Sequence, residues 1–419
     1  MTLTTLKDNE ITMTLVALGC LMLGAYVCGK LFEKIKAPKV VGEIVGGMLF
    51  GGTFLQHFFP NFINTIFNSY DEEGKVLNLF YQMGLIFLMF ASGYNTKIDL
   101  QKKNMRIFTS LFVGATIIPM GLGIFFINMF KDDFIGSKGN HISYSIVFLI
   151  AIAITSIPVI SKIFFDMGII NTQFANIVLT ASTLQDLCLW ILLNVAINMA
   201  TSDELDIVRM IVVVVVTIML FIMTKFIGTL INKLNIEFKD GAGFLQICFI
   251  CMFFFIALLN LLQINIMYSS FLVGYMMRCI TTKENNVNEK VKCISDFSFS
   301  FFVPVYFALV GIQLNLIHHF SLVRFLLFFV IAFILEGLST VIVLKFATKL
   351  KNNQIINFGI AMNARGGPGI VLATVAYNYK IINVEFFTVL VLTTMLSSLI
   401  AGYWLRLEQS KYKDVFDIN

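Results

Sequence analysis

The sequence predicts an all-α polytopic membrane protein of about 13 transmembrane helices. Three observations carry that expectation: an apolar composition, apolar segments of bilayer length, and basic residues that alternate from loop to loop. Of the 419 residues 58% are hydrophobic and only 13% charged, and the mean hydropathy is +0.85. A soluble domain has no use for so much apolar surface. A helix needs roughly 20 apolar residues to cross the hydrocarbon core, and segments of that length recur along the whole chain. None of the intervening stretches is long enough to fold as a soluble domain.

The spans are read at about 11–32, 38–57, 76–94, 106–129, 143–166, 172–200, 206–232, 241–262, 265–280, 294–315, 321–348, 353–378 and 384–406. The first lacks a basic leading region and a small-residue cleavage site, so it is read as a retained helix and not a signal peptide. Sorting Lys and Arg by loop places twenty-two on one side, seven on the other, and Arg365 inside a span. The positive-inside rule then puts the N-terminus outside the cell membrane and the C-terminus in the cytoplasm. An odd number of spans requires opposite ends, so the two counts agree. This distribution explains the net charge of +5 without an acidic or nucleic-acid partner.

Cysteine and histidine point to no metal or redox chemistry. All seven cysteines lie in or near apolar spans, and Cys248 and Cys251, although spaced as CxxC, read as small apolar packing residues. The four histidines, His57, His141, His318 and His319, fall at span ends or in loops. Neither a cofactor nor a nucleophile–base pair is expected at membrane depth, so an enzyme is not the expected reading.

Asp186 stands near the middle of the span at 172–200, within Thr183-Leu184-Gln185-Asp186-Leu187. A carboxylate at that depth costs a few kcal/mol on insertion scales. It needs a partner, a proton or a cation.

The two halves of the chain look related at an offset of roughly 210 residues. Phe90-Ala91-Ser92-Gly93 at the end of span 3 corresponds to Ala308-Leu309-Val310-Gly311 at the end of span 10. Ala153 and Pro158 of span 5 correspond to Ala361 and Pro368 of span 12, and Ile169-Ile170-Asn171 to Ile381-Ile382-Asn383. Gly47-Met48 of span 2 corresponds to Gly274-Tyr275-Met276 of span 9. Corresponding spans lie seven apart, so the copies run in opposite directions. Two inverted-topology repeats follow, 11–200 and 241–406, joined by a linker span at 206–232 and followed by a short cytoplasmic tail at 407–419, all within one transmembrane domain. Inverted repeats are a transporter architecture with the site near the midplane, between interrupted helices.

The interruptions are readable. Span 5 contains Thr155-Ser156-Ile157-Pro158, and span 12 contains Asn363-Ala364-Arg365-Gly366-Gly367-Pro368-Gly369. Proline removes a donor and clashes with the preceding turn. Irregular backbone at membrane depth is tolerated only where it is buried in protein or lines a cavity, and its freed carbonyls are potential cation ligands.

With these residues in place the chain resembles the cation:proton antiporter-2 family of monovalent cation/proton exchangers. The resemblance covers nearly the whole chain. It rests on Pro38-Lys39-Val40-Val41-Gly42-Glu43-Ile44-Val45-Gly46-Gly47, on Gly84-Leu85-Ile86-Phe87-Leu88-Met89-Phe90, and on Phe302-Val303-Pro304-Val305-Tyr306-Phe307-Ala308-Leu309-Val310-Gly311. Gln185-Asp186 occupies the place of the family's ion-binding pair, in a form that resembles the potassium-efflux branch. Arg365-Gly366-Gly367 resembles the Arg-Gly motif of the second broken helix. Where the family often carries a lysine in span 11, this chain reads Ile334-Leu335-Glu336-Gly337-Leu338, which places Glu336 there. Potassium-efflux relatives often append a nucleotide-binding domain; this chain stops at Asn419, so gating by that route is not expected.

The resemblance implies a core of spans 4, 5, 6, 11, 12 and 13, a dimerising scaffold of spans 1, 2, 3, 8, 9 and 10, and a homodimer. It places Asp186 at the crossing of the two broken helices. A hard cation wants oxygens: the Asp186 carboxylate, the Gln185 amide oxygen, and the hydroxyls of Thr155 and Ser156. Burial disfavours a bare carboxylate, and either a proton or Na⁺ or K⁺ neutralises it. Their competition is exchange. Arg365 and Glu336 read better as a charge-balancing pair than as ion ligands, with Asn363 stabilising the broken helix. The expected activity is Na⁺/H⁺ or K⁺/H⁺ antiport by alternating access, one proton per cation. The alternatives are a gated K⁺ efflux path without strict proton coupling and a non-transporting membrane cation sensor.

Overall fold

A computed structural model describes residues 5–95, 104–170, 172–201, 241–261, 266–280, 296–317 and 320–412, with isolated positions besides. The described secondary structure is helical. In chain order it comprises α1 (Asp8–Lys34), α2 (Lys39–Met48), α3 (Leu55–Phe58), α4 (Pro60–Phe67), α5 (Glu73–Asn95), α6 (Met105–Phe134), α7 (His141–Ile152), α8 (Ile157–Asp166), α9 (Gln173–Thr201), α10 (Gly241–Leu261), α11 (Ile266–Ile280), α12 (Val303–Gln313), α13 (Leu322–Ala347), α14 (Asn352–Met362), α15 (Gly366–Asn378) and α16 (Val384–Lys411). Among the described residues six helices are long and apolar enough to cross a bilayer: α1, α5, α6, α9, α13 and α16. Most of the 206–232 linker span lies outside the described residues.

The helices differ from the expected spans where glycine and proline act. The 38–57 span is not one helix. It stops after Met48, and Gly51 and Gly52 open a turn before α3 and α4. Two spans expected to be regular contain π turns, Val113–Ile117 inside α6 and Ser298–Phe302 leading into α12. Each π turn ends two residues before a proline, Pro119 or Pro304, which cannot donate to the preceding turn.

The chain divides into two compact units, one of Met1–Tyr94, Thr224–Leu259 and Ser269–His318, the other of Asn95–Met223, Asn260–Tyr268 and His319–Asn419. The first holds α1–α5, most of α10 and α11, and α12. The second holds α6–α9 and α13–α16.

Close helix packing in the first unit rests on glycine. A Cβ on Gly47 (α2) would strike the Ala308 carbonyl of α12, and one on Gly311 (α12) would strike the Ile44 carbonyl of α2. A Cβ on Gly93 (α5) would strike the Phe271 carbonyl of α11, and one on Gly274 (α11) the Phe90 carbonyl of α5. In all four contacts the obstructing carbonyl belongs to the residue three before the partner glycine. Without a hydrophobic drive between helices in lipid, such close approach supplies the packing attraction.

In the second unit one face of α13 is apolar and exposed, from Leu322 through Leu326, Val330, Ile334, Leu338 and Ile342 to Phe346. The other face is buried and carries Phe325, Phe328, Ala332, Glu336, Ser339 and Thr340. The four-residue spacing gives one helix a lipid-suited stripe and a polar stripe turned into protein. Asn140 caps α7 by accepting from Ser143 N at 2.7 Å, and Asn383 caps α16 by accepting from Phe386 N at 2.9 Å.

The glycine packing gives a direct test. Gly47→Ala is expected to destabilise the detergent-solubilised protein by about 1–3 kcal/mol through overpacking. Gly19→Ala, where a Cβ meets nothing within 4 Å, is expected to be neutral or slightly stabilising. Thermal unfolding of both variants checks this; equal melting points would contradict it.

Candidate functional site

Both expected interruptions are present, and they meet. α7 ends at Ile152 and α8 begins at Ile157; α14 ends at Met362 and α15 begins at Gly366. Pro158 takes the second position of α8 and Pro368 the third of α15. Amides in a first turn have no helical acceptor, so proline costs no hydrogen bond there.

The freed backbone groups find partners across the crossing. Ser156 N donates to Ala364 O at 2.6 Å. The Thr155 hydroxyl donates to Met362 O. Gly366 N donates to Ser398 Oγ at 3.0 Å, and Val159 N to Ser156 Oγ at 3.3 Å. Arg365 Nη2 lies 2.9 Å from Ile152 O, and Gln185 Nε2 2.7 Å from Ala153 O. The two breaks thus satisfy each other in part, with α9 and α16 supplying further partners, which is the condition for irregular backbone at this depth.

Gly366 is required where the chains cross. Its φ is +36°, and a Cβ there would strike Val159 Cγ2 and the Ser156 side chain. Gly367 next to it has open space.

Charge is arranged around the same crossing. Arg365 is 1% exposed and Glu336 is fully buried, and Arg365 Nη2 stands 3.0 Å from Glu336 Oε2. The same nitrogen lies 2.9 Å from Ala332 O and 3.5 Å from Asn363 Oδ1. Asn363 Nδ2 donates to Gly359 O at 3.0 Å, closing the last turn of α14. Glu336 Oε1 is 3.4 Å from Thr155 Oγ1. Breaking such a buried pair by removing one partner costs about 3–5 kcal/mol, because it leaves the other charge alone.

Asp186 lies at the fourteenth position of the 29-residue helix α9 and is 1% exposed. Neither of its carboxylate oxygens has a hydrogen-bond partner. The neighbouring Gln185 is fully buried; its Nε2 is held by Ala153 O and by Ala115 O at 3.1 Å, and its Oε1 has no partner. One turn earlier on the same helix, Ser182 Oγ is 3.7 Å from Met362 Sδ at the end of α14. Gln185 and Ser182 thus tie this stretch of α9 to both breaks. Three buried oxygens on two consecutive residues stand without a donor, and oxygens of this kind suit a proton or a hard cation.

The structure brings Gln185, Thr155, Ser156, Asn363, Arg365 and Glu336 into one hydrogen-bonded cluster at the crossing. The Thr155 hydroxyl donates to Met362 O, and the Ser156 hydroxyl accepts from Val159 N as the cap of α8. Glu43 lies elsewhere, paired with Lys39 at 3.0 Å in the first unit. Sequence reasoning did not find Ser398, Ser182, or the Ala115 carbonyl. Pro119 was the available signal for the last of these. Among the described residues no group of three or more His, Cys, Asp or Glu is placed to hold a metal ion.

Gly366→Ala is expected to lower the melting temperature of the solubilised protein and to reduce its folded yield, with a cost of at least about 2 kcal/mol. Gly367→Ala is expected to stay within about 1 kcal/mol of the parent. Reversal of that order in a thermal unfolding assay would contradict the crossing geometry.

Comparison with known proteins bears on the family and the fold. A family described as "Sodium/hydrogen exchanger, transmembrane" matches residues 19–407. The chain is 25% identical over 406 residues to K(+)/H(+) antiporter 1 of Saccharomyces cerevisiae, covering 91% of this chain and 45% of that protein. It is 24% identical to the Na(+)/H(+) antiporter NhaS4 of Synechocystis, covering 94% of this chain and 97% of that one. It thus spans about half the length of the yeast relative and nearly all of the cyanobacterial one. Among solved structures, the sodium proton antiporter MjNhaP1 of Methanocaldococcus jannaschii superposes with a TM-score of 0.66 at 14% identity, over 96% of this chain and 97% of that one, which shows a shared fold. Transport, not enzymatic catalysis, is what joins these relatives. On the match over nearly its whole length, the chain belongs to the transmembrane sodium/hydrogen exchanger family.

Proposed function

We propose that the protein exchanges a monovalent cation, Na⁺ or K⁺, for a proton across the cell membrane, with Asp186 binding the two in competition. The observation that carries this reading is the trio of buried, undonated oxygens on Gln185 and Asp186 beside the two breaks. A proton satisfies Asp186 as a neutral acid; a cation satisfies it as a carboxylate, with Gln185 Oε1 as a further ligand. The Thr155 hydroxyl and the crossing carbonyls have lone pairs left after their hydrogen bonds and can complete the oxygen set. Relatives named for both Na⁺/H⁺ and K⁺/H⁺ exchange support the class of reaction and leave the choice of ion to the cavity.

The proposed site lies within one unit of the fold, as alternating access requires of a site that is carried rather than split. The matched glycine contacts support the inverted repeat. The repeat pairs span 2 with span 9 and span 3 with span 10, so it exchanges the Gly47–Gly311 contact with the Gly274–Gly93 contact. The same repeat relates α7–α8 to α14–α15. In this reading the 13-helix topology has its N-terminus outside and its C-terminus in the cytoplasm, and the first unit forms the homodimer face.

Stoichiometry follows from charge. Glu336 is held by Arg365, which leaves Asp186 as the free carboxyl and makes the exchange one proton for one cation. Two measurements test these statements. In proteoliposomes with a pH-gradient dye, Na⁺, K⁺ or Li⁺ is expected to dissipate the gradient with the parent protein and not with Asp186→Asn; exchange that survives in the variant would refute the site. Imposing a membrane potential is expected to leave the exchange rate unchanged. A rate that tracks the voltage would refute one-for-one exchange and bring Glu336 in as a second proton carrier.

A further inference from the structure

The π turn Val113–Ile117 in α6 touches the site from a side that neither break provides. Ile118 N donates five residues back, to Val113 O. The next donor would be residue 119, which is proline and has no N–H. Neither Gly114 O, five residues before Pro119, nor Ala115 O, four before it, receives an amide from that position. Both carbonyls instead meet side chains from other helices: Ser339 Oγ of α13 lies 2.6 Å from Gly114 O, and Gln185 Nε2 of α9 lies 3.1 Å from Ala115 O. The seat is tight, since a Cβ on Gly114 would come within 2.9 Å of Thr340 Cα. The single hydroxyl proton of Ser339 is shared among Gly114 O, Leu335 O and Glu336 O, and the Thr340 hydroxyl donates to Glu336 O.

We infer that this π turn is a positioning element of the cation site, with Pro119 as the residue that opens it. An amide's oxygen and nitrogen are held at a fixed angle on one planar carbon. Holding Gln185 Nε2 between Ala115 O and Ala153 O therefore fixes where Gln185 Oε1 is presented beside Asp186. Gln185 so held offers its oxygen at one distance, and discrimination between cations of different radius depends on that distance. Replacing Pro119 by a residue with an N–H returns a backbone donor that competes for these carbonyls, letting the π turn relax to an α turn and Gln185 turn away. This inference rests on the reading of Gln185 and Asp186 as the cation site.

Pro119→Ala and Asp186→Asn are assayed in parallel in proteoliposomes across a range of Na⁺ and K⁺ concentrations. Pro119→Ala is expected to raise the KM of the preferred cation by at least about threefold, more than it lowers the maximal rate, and to narrow the Na⁺/K⁺ preference. Where Pro119→Ala is not recovered folded, Ser339→Ala, which removes the hydroxyl seated against the neighbouring Gly114 carbonyl, carries the same expectation. Unchanged KM and ion preference, with Asp186→Asn inactive, would overturn this inference alone. Exchange surviving in Asp186→Asn would overturn the site reading beneath it.

Discussion

The breaks at 153–156 and 363–365 leave peptide groups without helical partners at a depth where water does not replace them. Each unmet group there costs several kcal/mol, so one break alone would be hard to sustain. Set across each other, they exchange what they lack. Ser156 N serves Ala364 O, Thr155 serves Met362 O, and Arg365 serves Ile152 O. The rest of the second unit is arranged to keep this crossing in place: Gly366 permits the approach, Ser398 takes its amide, and α13 supplies the counter-charge.

The same crossing decides which charge is free. Arg365 brings a permanent positive charge into the membrane, and Glu336 answers it at 3.0 Å. Glu336 thus has a counter-charge, whereas the Asp186 oxygens accept no hydrogen bond, and the proposed site therefore assigns the gain and loss of a ligand to Asp186. The proposed exchange is a direct consequence: a carboxylate that is costly when bare is neutral with a proton and neutral with one monovalent cation. The relatives' names cover both K⁺/H⁺ and Na⁺/H⁺ exchange.

Much of this was legible in the sequence because the governing effects are local or compositional. Asp186 stood out as a carboxylate in an apolar run, and the Pro- and Gly-rich segments at Thr155–Pro158 and Asn363–Gly369 marked the breaks. The placement of Glu336 in span 11 put it on the buried face of α13. Other features depended on what faces what. Ser156 also serves as a helix cap, because it stands immediately before α8. The glycine contacts of α2, α5, α11 and α12 show their matching offsets only in three dimensions. The π turn of α6 was missed because a single proline in a long apolar span carries no statement of which turn it opens or which side chain fills it. The helix after Gly51, too, follows from a turn that hydropathy averages away.

The central claim is that cation and proton compete for Asp186, and the most direct test is cation binding itself, measured by calorimetry on the solubilised protein in buffers of different pH. The account predicts that binding releases protons to the buffer and that apparent affinity weakens toward about tenfold per unit fall in pH in the acid range, with both effects absent in Asp186→Asn. Cation binding of equal affinity across that range, with no proton released, would contradict it.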